Sequence, residues 1–80
     1  MEDLKKLITL FILEELWESD ETFSEDLPLI SGGYIDSLAM VSLKEFLEKR
    51  LGISIPDEQA TAEAFDSVDK IAKLLNRFIN

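Results

Sequence analysis

The side chains of this chain that could do chemistry are serine and threonine hydroxyls, carboxylates and a few lysines. The sequence contains no histidine and no cysteine, and it has 17 Asp or Glu residues against 8 Lys or Arg residues. The usual general base, the thiol nucleophile and the commonest metal ligand are therefore missing. Ser-His-Asp, Cys-His and histidine-zinc chemistry are excluded, so we expect that the protein is not an enzyme. The acidic segment also lacks the spacing of a calcium-binding loop, and no metal site is expected.

Ser37 is the serine with the most informative surroundings. It lies in residues 33–38, Gly-Tyr-Ile-Asp-Ser-Leu, just before the predicted start of a helix. Aspartate and serine are both favoured helix N-caps, so a plain capping role for Ser37 is one interpretation. In the other interpretation Asp36 is the cap, and the Ser37 hydroxyl is left free at the helix N-terminus. Backbone N–H groups and the helix dipole favour an attached phosphate there.

The charge of the chain limits the partners that it can bind. Its 80 residues carry a net charge of −9 at pH 7, which repels phosphate backbones and anionic lipid surfaces. We therefore expect no nucleic-acid binding, no membrane binding, and partners with basic surfaces.

The longest near-continuous apolar stretch, Leu7 to Leu13, is too short to span a bilayer. The acidic start is unlike a secretory signal, so a cytoplasmic monomer with a single domain over residues 1–80 is expected.

The apolar spacing predicts an all-α fold, a small four-helix bundle of three main helices plus one short helix with a long first loop. The expected helices cover residues from about 3 to 17, Ser37 to about Leu51, about 57–64 and about 67–78. Ser19 to Asp36 shows no helical or strand period, and loops of this length tend to be functional or disordered. Its apolar residues indicate that it is held against the core. Four aromatic residues are also expected in the core: Phe11, Trp17, Phe65 and Phe78.

The second helix has two faces of different character. Leu38, Val41, Glu45 and Glu48 fall on the side that is expected to face solvent. Two aliphatic side chains beside two carboxylates indicate a contact face. The alternative is an ordinary solvated face with Glu45 and Lys49 as an i, i+4 pair. The opposite side, which is expected to face the core, has Ala39, Met40, Leu43, Phe46, Leu47 and Leu51.

Residues 33–38 resemble the attachment motif of the acyl carrier proteins and the related aminoacyl and peptidyl carriers, a glycine, two variable residues and then Asp-Ser-Leu. The resemblance extends over essentially the whole chain, including the long first loop and the Ile-Pro-Asp-Glu run at residues 55–58. It implies that Ser37 carries 4′-phosphopantetheine through a phosphodiester. The terminal thiol would hold an acyl group as a thioester for enzymes of fatty-acid, polyketide or related biosynthesis.

The resemblance also implies that helix two is the recognition helix. Its partners would be a phosphopantetheinyl transferase and enzymes with basic docking surfaces that load or extend the cargo. The residues implied in these contacts are Asp36, Leu38, Val41, Glu45 and Glu48.

Two alternatives remain open at this stage. Helix two carries three basic residues, Lys44, Lys49 and Arg50, and this balance leaves room for an aminoacyl or peptidyl carrier, including a D-alanyl carrier. The alternative from another class is an unmodified acidic helical adaptor that binds a basic groove or helix.

A further hypothesis concerns the place of an acyl chain. Three alanines between residues 60 and 64 leave thin packing beside Phe46, Leu47 and Ile55. A cavity between helices two and three would admit an acyl chain, as the family often does. The alternative is a close-packed core at this position.

Overall fold

The computed structural model describes residues 2–79 of the chain. Within them the fold is all-helical, with no strand. Three α-helices are formed, α1 (Glu2–Phe11), α2 (Ser37–Leu51) and α3 (Val68–Leu75), and a π-helical segment (Ile12–Leu16) extends α1. The radius of gyration is 11.5 Å, close to the roughly 12 Å expected for a compact chain of this length.

The first helix buries one row of apolar side chains and then widens. Leu4, Ile8 and Ile12 form a buried row along it. At Ile12 the backbone changes to a wider turn, in which the Trp17 N–H donates to the Ile12 carbonyl oxygen at 2.7 Å. This turn ends the helix near residue 17, as predicted, while Glu14 stays exposed and Ile12 stays buried.

The second helix has the predicted limits because both ends are capped. Asp36 is the N-cap, and its carboxylate accepts from the Ala39 N–H at 2.9 Å. Gly52 ends the helix in the left-handed conformation, with φ 66° and ψ 37°, which glycine adopts without steric cost. The predicted core side is confirmed, since Leu43 and Leu47 are fully buried.

The prediction of a short helix over about 57–64 is wrong, because the segment forms separate turns. The Gln59 N–H donates to the Pro56 carbonyl oxygen at 2.9 Å, and the Phe65 N–H donates to the Thr61 carbonyl oxygen at 3.1 Å. Within the second turn the Thr61 hydroxyl accepts from the Ala64 N–H at 3.1 Å. A hydroxyl that bonds locally offers the backbone an alternative to helix, and this bond begins a new turn where a helix would have continued.

The last helix is shorter than predicted but begins close to the predicted start. Ser67 precedes α3 and accepts from the Lys70 N–H at 3.1 Å. After Leu75 the chain continues in turns to residue 78. Helix α3 packs against α1, which also contacts α2, and Phe65, Ile71 and Leu75 are fully buried at the centre of the core.

The long first connection, residues 17–36, is held against the core, as predicted. Leu29 is fully buried and Ile35 is 6% exposed. The expectation for the aromatic residues is confirmed for Phe65, which is fully buried, whereas Phe11, Trp17 and Phe78 are half-buried and pack against the core.

Candidate functional site

Ser37 is the first residue of α2, and its side chain is exposed. The two interpretations of the local sequence are distinguished by the cap, because Asp36 rather than Ser37 accepts from the Ala39 N–H. The Asp36 carbonyl oxygen also accepts from the Met40 N–H at 3.0 Å. Over residues 2–79, no hydrogen bond involves the Ser37 hydroxyl. The hydroxyl is therefore free to react with an external group.

The backbone around Ser37 favours an anionic group at the position of its hydroxyl. The N–H groups of Ser37 and Leu38 have no acceptor among the described residues. Such groups in the first turn, together with the helix dipole, stabilise anions. The chain has no histidine that could activate the hydroxyl as a general base.

Residues 28–35 reach Ser37 through a tight turn that requires glycine. The Gly32 N–H donates to the Pro28 carbonyl oxygen at 2.9 Å. A Cβ atom on Gly32 would collide with that same oxygen and lie 2.9 Å from the Tyr34 ring. Gly33 has a φ of 81°, which strains any residue with a side chain. Gly32 and Gly33 therefore let the chain fold back on itself just before α2.

Tyr34 is part of an aromatic group beneath this loop. Its ring stacks on Trp17 with centroids 5.2 Å apart, and Trp17 meets Phe23 edge-on at 5.1 Å. Pairs of this geometry stabilise a fold beyond the area that they bury. The group ties the turn to the end of the π-helical segment.

Asp66 also holds this loop, and the sequence did not predict this role. Its Oδ1 accepts from the Ile30 N–H at 2.7 Å and from the Ser31 N–H at 2.8 Å. Its Oδ2 accepts from the Ser31 hydroxyl at 2.7 Å, and its carbonyl oxygen accepts from the Leu29 N–H at 2.6 Å. We call Asp66 and residues 29–31 the loop clamp.

The electrostatic state of the loop clamp is set by its hydrogen bonds. Burial alone raises the pKa of Asp66, but the N–H and hydroxyl of Ser31, the Ile30 N–H and the nearby Lys70 outweigh it. The net result is that the pKa of Asp66 lies below its ordinary value. Asp66 is therefore a charged acceptor at neutral pH, and charge-assisted hydrogen bonds are stronger than neutral ones.

The predicted outer face of α2 is exposed. Leu38 is 78% exposed and Val41 is 44% exposed, and Asp36 and Glu45 are exposed beside them. Large aliphatic side chains at these exposures contribute little to the core, so they are available for contact with another molecule. This agrees with the predicted orientation of the helix.

Glu48 differs from the other residues of the predicted face, since it is half-buried. Its Oε2 accepts from the Ile55 N–H at 2.7 Å and lies 3.3 Å from the Lys44 Nζ. The Ile55 N–H lowers the pKa of Glu48, burial opposes this effect, and Lys44 adds to it. In the described residues the i, i+4 ion pair of α2 is Lys44–Glu48 and not the suggested Glu45–Lys49. Glu48 thus holds the segment after α2 against the helix.

The alanine-rich segment shows a cleft on a different side from the one predicted to hold an acyl chain. A surface cleft of about 600 Å³ lies between residues 58–64 and α3, and Phe46, Leu47 and Ile55 do not line it. Ala62 is exposed, while Ala60 and Ala64 are half-buried. A cavity between α2 and this segment stays a prediction.

Two features are absent from the described part of the chain. No group of three or more acidic, histidine or cysteine side chains is arranged there to hold a metal ion. No helix there is both long enough and apolar enough to cross a bilayer.

Comparisons with known proteins gave no relative for this chain. No family model matches it, and no curated protein and no solved structure matches it significantly.

Proposed function

We propose that the protein is an acyl carrier whose Ser37 is modified with 4′-phosphopantetheine. The observation that carries the proposal is the exposed Ser37 hydroxyl, which has no hydrogen-bond partner in the described chain because Asp36 caps α2. A serine in this state, at the end of a loop and on the first turn of a helix, is accessible to a modifying enzyme. The sequence motif at residues 33–38 agrees with this reading.

The residues present fit the proposed group. The Ser37 side chain is exposed, and the N–H groups of Ser37 and Leu38 have no acceptor among residues 2–79. These groups can donate to the oxygens of a phosphodiester. The group supplies a terminal thiol on a flexible arm, where a cargo is held as a thioester. The chain itself supplies the attachment point, the orientation of the hydroxyl and a surface for partner enzymes.

The proposed partners bind the outer face of α2. Exposed Leu38 and Val41 offer apolar contact area, while Asp36 and Glu45 attract a basic surface. Complementary charges mainly accelerate and orient the encounter, and the apolar contacts add affinity. The partners are a phosphopantetheinyl transferase and enzymes of fatty-acid, polyketide or related biosynthesis. Tethering the cargo gives those enzymes a high effective concentration of substrate.

The proposal also covers the arrangement of a four-helix carrier bundle and a cytoplasmic location. In a four-helix carrier bundle, the turns of residues 57–65 would stand where the short third helix lies. Glu48 would then serve the fold more than the partner, because its carboxylate is engaged by Ile55 and Lys44. A non-catalytic role in the cytoplasm completes the proposal.

Modification is tested by intact mass. The purified apo protein is incubated with coenzyme A and a broad-specificity phosphopantetheinyl transferase. We expect a gain of one phosphopantetheinyl group in the wild type and no gain in Ser37→Ala. Ser67→Ala is the matched control, because Ser67 also follows an aspartate at a helix start but is 5% exposed. It should gain the group as the wild type does.

The outcomes separate the proposal from the adaptor alternative. No mass gain in a folded wild-type sample would contradict the carrier proposal. If that sample still bound a basic, apolar helical peptide through Leu38 and Val41, the adaptor would be the better account. A gain that persists in Ser37→Ala would place the modification on another residue.

A further inference from the structure

The loop clamp connects the start of α3 to the loop that ends at Ser37. Asp66 accepts three hydrogen bonds on its carboxylate and one on its carbonyl oxygen, from donors that lie about 35 residues away in the sequence. A half-buried carboxylate with this many donors fixes the backbone of residues 29–31. The position of this loop segment is thus defined by α3.

The clamp is continuous with the backbone that enters α2. The Leu29 carbonyl oxygen accepts from the Tyr34 N–H at 2.8 Å and from the Ile35 N–H at 2.9 Å. Leu29 and Ile35 are also buried in the core. The residue next to Ile35 is Asp36, the cap of α2. A shift of the clamped segment would therefore move the residues that immediately precede Ser37.

A second anchor brings the earlier part of the loop to the same helix end. The Asp69 N–H donates to the Glu25 carbonyl oxygen at 3.0 Å. The Lys5 Nζ lies 2.9 Å from the Asp69 carboxylate and 3.6 Å from the Glu25 carboxylate. The Asp69 hydrogen bond is what raises the pKa of Lys5 most. The first turn of α3 is thus the common support of a loop that has no regular structure of its own.

We propose that Asp66 is a positioning residue for the modification of Ser37. The clamp holds the entry to α2 in one conformation, so the Ser37 hydroxyl is presented to the transferase in one geometry. This inference rests on the proposed function. In the reaction, the Ser37 oxygen attacks the β-phosphorus of coenzyme A and the bond to 3′,5′-adenosine diphosphate breaks. The hydroxyl proton passes to a base of the transferase.

The geometry separates the role of Asp66 from that of the docking face. Leu38 is 78% exposed on α2, so its loss weakens binding of the transferase. Asp66 is not part of that face, so the complex with the transferase still forms when Asp66 is lost. Within that complex the position of the Ser37 hydroxyl changes. Misplacement of a reacting group by about 1 Å can slow a reaction by up to about 100-fold. Loss of Asp66 should therefore lower kcat, whereas loss of Leu38 should raise KM.

The test is steady-state kinetics of the transferase with coenzyme A and a series of carrier variants. Asp66→Ala should lower kcat about 10- to 100-fold with little change in KM. Asp66→Asn retains an acceptor for the Ile30 and Ser31 N–H groups and should recover part of that loss. Ser31→Ala removes only the hydroxyl bond and should have the smallest effect.

Ile71→Val is the control for lost stability, since Ile71 is fully buried in α3 and makes none of the hydrogen bonds of the clamp. All variants are compared at a temperature at which circular dichroism shows them folded. If Asp66→Ala has wild-type kcat, or if Ile71→Val loses as much kcat, the positioning role is overturned. A wild type that is not modified at all would instead contradict the proposed function, and the inference with it.

Hydrogen exchange provides a readout that does not depend on modification. In Asp66→Asn and Ser31→Ala we expect faster exchange at the amides of Ile30, Ser31, Tyr34 and Ile35 than in Ile71→Val. These two variants keep all core side chains, so they remain informative if Asp66→Ala fails to fold. Exchange that is unchanged at these amides in both variants would overturn the clamp.

Discussion

Two Asp-Ser-aliphatic sequences begin helices in this protein. The aspartate caps the helix in one of them, and the serine caps it in the other. At α2, Asp36 is the cap and the Ser37 hydroxyl has no partner in the described residues. At α3, Ser67 is the cap and Asp66 bonds to a distant loop. The comparison shows that this sequence pattern marks a helix start without showing which side chain caps it.

Tertiary surroundings decide between the two arrangements. Asp66 lies opposite three donors from Ile30 and Ser31, and its carboxylate turns to them. Ser67 is 5% exposed, and a buried hydroxyl without a partner costs free energy. The capping bond from the Lys70 N–H gives the Ser67 hydroxyl that partner. Ser37 is exposed, so water can satisfy its hydroxyl and the neighbouring aspartate is free to cap.

The residues that follow the two serines also differ in their exposure to solvent. Val68 is fully buried, whereas Leu38 is 78% exposed. The α3 sequence therefore belongs to the core, and the α2 sequence belongs to the surface. In the proposed function, only the surface serine is accessible to an enzyme.

The largest expected difference is between truncations of these two aliphatic residues. Val68→Ala should lower the free energy of unfolding by about 1–3 kcal/mol, because buried methyl groups are lost and a cavity remains. Leu38→Ala should change it by less than about 0.5 kcal/mol, as is usual for exposed positions. Urea unfolding followed by circular dichroism measures both values.

The activity of the transferase should depend on these two variants in the reverse order. Leu38→Ala should raise the KM of the transferase, and Val68→Ala should leave it unchanged in folded protein. A large loss of stability in Leu38→Ala would show that the outer face of α2 is not the one described.

Removal of each cap is expected to have a smaller and more equal effect. Asp36→Ala and Ser67→Ala should each lower the free energy of unfolding by about 1 kcal/mol, since each leaves an N–H of the first turn without its acceptor. Ser37→Ala is the control at the neighbouring position and should be within about 0.5 kcal/mol of the wild type. If Ser37→Ala cost as much as Asp36→Ala, the serine would be capping α2 in solution.

Much of the fold follows from local sequence signals. The limits of α2 follow from Asp36 and Gly52, and the exposure of Leu38 and Val41 follows from a helical wheel. The failure lies at residues 57–64, where helix-forming residues are interrupted by the local bond of Thr61. Alanine-rich composition favoured helix, but the Ala64 N–H bonds to the Thr61 hydroxyl in place of a carbonyl oxygen.

The site was only partly predictable for a different reason. The Ser37 hydroxyl has no partner in the part of the chain that the structure describes, because Asp36 makes a capping bond that spans three residues, and local reasoning could propose this. The role of Asp66 depends on partners about 35 residues away, and no local pattern reports such a contact. Its place in a second Asp-Ser pair was the available signal, because once one side chain caps a helix the other is free for another partner.

The smallest expected effect is the pH dependence of the Asp66 contribution. The pKa of Asp66 in the folded protein lies below the ordinary value of 3.8, with Ser31, Ile30 and Lys70 lowering it against the effect of burial. Its stabilising contribution is therefore complete above pH 3.8 and is lost as the pH falls through the lowered folded value. The difference in free energy of unfolding between the wild type and Asp66→Asn should shrink over that range. In a Ser31→Ala background it should be smaller from the start, because one donor to the carboxylate is gone. Urea titrations from neutral pH to below 3.8 measure the difference, and a constant value would mean that the charge of Asp66 does not support the clamp.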